Sequence, residues 1–113
     1  MHEWSLVQSL LSRVDEEARK HGAVAVRRLE VSIGELAGVE PTLFDSAYEL
    51  FRTDTLCKEA RLEIRYVPAM WVCAQCGARI AQGAALWCAA CDGPARLDGG
   101  DGIVLERIEL EVP

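Results

Sequence analysis

A chain of 113 residues, half of them hydrophobic, holds enough apolar material for one compact domain and a small satellite that cannot build a core of its own. Its formal charge of −6 argues against a nucleic acid as the main partner, because binding phosphate backbones needs clustered Lys and Arg. No apolar run approaches the roughly 20 residues that span a bilayer, and the N-terminus lacks the basic-then-apolar order of a secretory signal. A cytoplasmic protein with no membrane partner is expected, and in a reducing compartment those of its five cysteines that occur in pairs are more often metal ligands than disulfides.

In chain order, Leu6, Val7, Leu10, Leu11, Val14 and Ala18 recur at three- and four-residue steps, which predicts a helix from about Ser5 to His21. Gly22 is its expected stop, and His21 suits the negative end of the helix dipole as an exposed residue. Leu29, Val31 and Ile33 alternate with Arg28, Glu30 and Ser32, the period of a half-buried strand that Gly34 and Gly38 break. Pro41 has its φ preset for the first position of a second helix, whose stripe of Phe44, Ala47, Tyr48 and Phe51 reads as core. Leu62, Ile64 and Tyr66 alternate with Arg61, Glu63 and Arg65 in a second strand ended by Pro68.

From Trp71 to about Leu97 the composition turns to Cys, Gly and Ala with little periodicity, so burial alone cannot organise the stretch. After Gly99, Gly100 and Gly102 a third strand runs from Ile103 to Val112, with a change of phase over Val104 to Arg107 that predicts a bulge. The expected fold class is α+β. A small mixed sheet of about three strands packs with two helices, and a zinc-ribbon-like module is inserted before the last strand. By this reading residues 1–69 and 99–113 form an α/β domain and residues 70–98 form the zinc module.

Cys73-Ala74-Gln75-Cys76 and Cys88-Ala89-Ala90-Cys91 are two C-x-x-C pairs, each able to aim two sulfurs at one ion from a tight turn. Two disulfides, an iron–sulfur centre and a redox C-x-x-C are the competing readings; paired cysteines in a cytosolic chain fit zinc best. Four thiolates leave Zn(II) no open position, so the ion is expected to be structural. Gly77 and Gly93 follow the pairs where positive φ is expected, and Trp71 and Trp87 are expected to pack around the module's small core. Cys57 has no partner pair and reads as a small buried hydrophobe without chemistry.

At the other end, Met1-His2-Glu3 offers an α-amine one residue before an imidazole, and Met1 is expected to be retained because His2 is bulky. Amine, ionised amide and imidazole close fused chelate rings, and a planar nitrogen set favours Ni(II) or Cu(II) over Zn(II). Met1-His2-Glu3-Trp4-Ser5-Leu6-Val7 resembles the opening of the HypA/HybF family of hydrogenase nickel-insertion proteins, Gly34-Glu35-Leu36-Ala37-Gly38-Val39-Glu40-Pro41 resembles its central motif, and the cysteine pairs sit where its zinc module sits. Trp4 is bulkier than the usual residue, and the second pair lacks the Pro and Gly often found there.

The resemblance implies a metallochaperone that passes nickel, with a HypB-type GTPase, to the large subunit of a [NiFe]-hydrogenase and in some organisms to urease. Carried over by position, His2 is the principal nickel ligand, supported by the Met1 amine and the amides of His2 and Glu3, with Glu40 a lesser candidate. Glu40 has a simpler reading as an acidic residue at the start of a helix. An enzyme would need a nucleophile with its base, an acid–base pair or an open metal position, and the sequence suggests none. A zinc ribbon for nucleic acid would need more cations than Arg79 and Arg96 between Trp71 and Leu97.

Overall fold

The computed structural model describes every residue except Met1, Gln82 and Ala84. Its elements are α1 (His2–Lys20), β1 (Ala25–Gly34), α2 (Pro41–Phe51) with a 3-10 turn at Arg52–Asp54, β2 (Arg61–Val67), β3 (Trp71–Cys73), β4 (Arg79–Ile80), β5 (Ala95–Leu97) and β6 (Ile103–Glu111). They form two compact units. Met1–Ser32, Val39–Arg65 and Val104–Pro113 make the first, Ile33–Gly38 and Tyr66–Ile103 the second.

The larger sheet has the order β2-β1-β6 and is mixed. Val24 N–H donates to Glu111 O at one end and Gly34 N–H to Gly102 O at the other, so β6 runs antiparallel to β1. Arg28 pairs with Glu63, and Glu35 N–H reaches Val67 O, so β2 runs parallel to β1. A parallel neighbour demands a long crossover, and α2 supplies it.

In the first unit Val7, Leu11, Val14 and Ala18 of α1 are buried with Leu29 and Val31 of β1 and Phe44, Ala47 and Tyr48 of α2. The opposite face of the sheet is polar. There the Arg28 guanidinium lies 2.9 Å from both Glu30 and Glu63 and 3.5 Å from Glu109, one layer of charge across three strands. The cluster is only part-exposed, with Arg28 Nε and Glu30 Oε2 shielded from water.

The first helix starts at His2, three residues before the apolar period begins at Ser5. Glu3 in its first turn complements the dipole, and Trp4 meets Phe51 edge-on at 5.6 Å. At the other end Ala23 N–H bonds to Ala18 O and Gly22 N–H to Arg19 O, the Schellman arrangement expected of a Gly stop. His21 is exposed there. Of the apolar set of β2, Leu62 and Ile64 are half-buried while Tyr66 is 50% exposed. β6 stays a single strand, and its alternation slips at Glu106 and Arg107, which are both exposed.

Within the second unit the chain after β1 turns tightly, with Ala37 N–H on Gly34 O. A Cβ on Gly34 would lie 2.2 Å from the backbone of Gly100, so only glycine fits there. Leu36 N–H donates to Gly100 O, and the Glu35 carboxylate accepts the N–H of Ala69 at 2.8 Å. The Gly34–Gly38 motif is therefore a backbone clasp, and this unit holds residues 33–38 and 66–69 together with the cysteine stretch.

Candidate metal centres

The short sheet β4-β3-β5 carries the first cysteine pair at its end. Trp71 and Val72 of β3 pair with Ile80 and Arg79, and Trp71, Val72 and Cys73 pair with Leu97, Arg96 and Ala95. Beyond β3 the chain makes a knuckle, with Gly77 N–H on Cys73 O and Cys73 N–H on Ala78 O. The second pair repeats it bond for bond: Asp92 N–H on Cys88 O and Cys88 N–H on Gly93 O.

The left-handed residue of each knuckle is the fourth after the leading cysteine, Gly77 with φ 76° and Asp92 with φ 65°. The expectation of positive φ therefore holds at Gly77 and fails at Gly93, where the count from Cys88 is one too many. Gly93 is needed for a different reason: a Cβ there would lie 3.0 Å from Cys73 Sγ and 3.0 Å from the Gln75 side chain. Asp92 tolerates the left-handed region as a short polar residue, and its carboxylate accepts the indole N–H of Trp87 at 2.6 Å. Trp87 is 52% exposed, so it braces the knuckle from outside; Trp71 is half-buried.

The knuckles bring Cys73, Cys76, Cys88 and Cys91 together, every sulfur within 4.8 Å of every other. Cys73 and Cys91 are 3.2 Å apart and Cys76 and Cys88 3.7 Å. Tetrahedral zinc with Zn–S bonds of about 2.3 Å sets its sulfurs about 3.8 Å apart, so the cluster fits a structural zinc site. The N–H of Cys76, with that of Gln75, points at Cys73 Sγ and brings this thiol down to about 6, while the hydrogen bond to Cys73 pushes Cys91 up to about 12. Backbone donors that favour thiolate favour metal binding. Cys57 is buried elsewhere, 2% exposed, and burial pushes its thiol up to about 11, as befits an inert residue.

At the other candidate centre His2 is exposed on the first turn of α1 and Glu3 is 8% exposed. The Met1 amine lies outside the described residues. Glu3 Oε2 accepts the N–H of Glu40 at 3.0 Å, and the N–H groups of Glu40 and of Glu3 itself lower the Glu3 carboxyl pKa. Glu40 is the N-cap of α2, its own carboxylate accepting the N–H of Leu43 at 2.7 Å. The structure thus brings together the start of α1 and the start of α2. Sequence reasoning credited Glu3 only with its amide; a partner 37 residues away leaves no local signal.

The HypA model, described as hydrogenase/urease nickel incorporation, metallochaperone, matches residues 1–110. A hydrogenase maturation factor HypA of Wolinella succinogenes is 37% identical over 98% of this chain and 96% of its own length. Its counterpart in Aquifex aeolicus is 34% identical over 99% of both chains. Among solved structures, the nickel metallochaperone HypA of Helicobacter pylori aligns over 98% of both chains at 30% identity with a TM-score of 0.74. The solution structure of a HypA protein aligns over 100% of this chain and 98% of that one at 31% identity, with a TM-score of 0.83. Matched over nearly its whole length in sequence and in fold, the chain belongs to the HypA family of nickel metallochaperones.

Proposed function

We propose that this chain carries Ni(II) at its N-terminus and delivers it for maturation of [NiFe]-hydrogenase, or of urease where that enzyme is the client. The observation that carries the reading is the family match over residues 1–110, with His2 exposed on the first helical turn. In this proposal His2 is the principal ligand, joined by the Met1 amine and the amides of His2 and Glu3. The first N–H groups of a helix have no partner within it, so ionising them for a metal breaks no helical hydrogen bond. Glu40 is a weaker candidate, because its Oε2 already caps α2. Cys73, Cys76, Cys88 and Cys91 hold zinc, which supplies folding energy to the second unit and takes no part in transfer.

Copper binds such nitrogen sites more tightly than nickel does, so selection rests on metal supply and on partners. A HypB-type GTPase as partner in the delivery and the hydrogenase large subunit as acceptor, both in the cytoplasm, complete the proposal. A shallow site at a chain end suits transfer, since its ligands exchange one at a time. The test is nickel titration of the zinc-loaded protein, of His2→Ala and of a form extended ahead of Met1. His2→Ala should abolish binding and the extension should weaken it, with zinc content unchanged. Unaltered affinity in both variants would place nickel elsewhere.

A further inference from the structure

We propose that the Glu3 side chain is a positioning residue for nickel: it fixes the first turn of α1 to the start of α2. The proposal rests on the nickel reading above. Carboxylates are seldom buried without a partner, and Glu3, at 8% exposure, has one in Glu40 N–H. Why that donor needs Glu3 follows from how helices are capped. In a capping box the N-cap side chain takes the N–H of the third helical residue, while a Glu or Gln at that third position reaches back to the N-cap N–H.

Here Glu40 does its half, accepting from Leu43 N–H. Leu43 cannot do the other half, since its side chain has no acceptor. Glu3, from a different helix, supplies the missing carboxylate. The box is completed across two helices, and the residue that completes it is next in sequence to His2. Taking that oxygen for nickel would break the tie to the Glu40 N–H. Glu3 therefore sets where the first turn of α1 sits, and with it His2.

The two ends of the tether can be cut separately in the zinc-loaded protein. Glu3→Ala removes the acceptor and Glu3→Gln keeps one. Glu40→Pro removes the donor at a φ of −86°, close to what proline imposes, and Glu40→Ala removes the cap but keeps the donor. Nickel release to a chelator and the X-ray absorption spectrum of bound nickel are read for each, beside thermal unfolding. Glu3→Ala and Glu40→Pro should each release nickel about tenfold faster with an unchanged spectrum, while Glu3→Gln and Glu40→Ala stay within about threefold of the parent, in keeping with supporting contacts around metal sites. A changed spectrum in Glu3→Gln would make the carboxylate a ligand and overturn the proposal. So would parental release rates in both Glu3→Ala and Glu40→Pro. If His2→Ala binds nickel as the parent does, the nickel reading falls and takes this proposal with it, a result separable from the others because it needs no change at Glu3.

Discussion

Cys57 shows how a residue without chemistry can still shape the behaviour of the fold. Its thiol, 2% exposed, is raised by burial from 9.0 to about 11. Between those values the unfolded chain gives up the proton and the folded chain keeps it, so the stability this thiol contributes is complete below pH 9 and is lost as pH rises toward 11. The loss amounts to about 3 kcal/mol at most. Denaturant unfolding of the parent and of Cys57→Ala from pH 8 to 11 should give curves that converge by about that amount; parallel curves would show the thiol is not raised. Tyr48 is pushed by burial to about 12 and is common to both proteins. Its hydroxyl and the Arg52 guanidinium both donate to Ala60 O at 2.8 Å, anchoring the chain just before β2.

At the scale of elements the two knuckles are one design used twice, and the repeat gives a sharp expectation. Gly93→Ala places a methyl 3.0 Å from Cys73 Sγ and from Gln75. Gln75 is exposed and can swing aside; a sulfur held by zinc cannot. Competition against a chelator should show zinc bound about tenfold more weakly in Gly93→Ala, a loss in the range that misplaced supporting groups cause at metal sites. Unchanged affinity would mean the knuckle yields instead of the sulfur. The strands and helix interiors were legible in the sequence because Leu29, Val31, Phe44 and their neighbours repeat with the period of their element. The cysteine cluster was legible from spacing alone. Asp92 was missed because its φ is set by the count from Cys88 and not by residue type. The three residues from His2 to Trp4 were missed as helix because capping charge and one aromatic contact hold them there, neither of which is periodic.

On the scale of the whole molecule the chain holds two units with separate sources of stability, an apolar core in the first and a thiolate cluster in the second. Cys73→Ala should therefore abolish zinc binding and amide-exchange protection from Trp71 to Leu97 while α1 and α2 keep theirs. Uniform loss of protection would show one cooperative unit. The membership of Ile33–Gly38 in the second unit was hidden from sequence, since it depends on the approach of Gly34 to Gly100 across a long stretch of chain. The order of strands bears on the biosynthesis of this protein. β1 lies at the centre of its sheet, yet β2 is made soon after it and β6 last of all. A nascent chain can thus zip the β1–α2–β2 crossover early, but the opposite edge of β1 stays open until the whole cysteine stretch has left the ribosome. Bonds from Met70 N–H to Gly99 O and from Asp98 N–H to Met70 O pinch that stretch at its base, and zinc, by ordering what lies between, shortens the search that the last strand must make. A cell starved of zinc would accumulate chains with an exposed strand edge, open to pairing with one another.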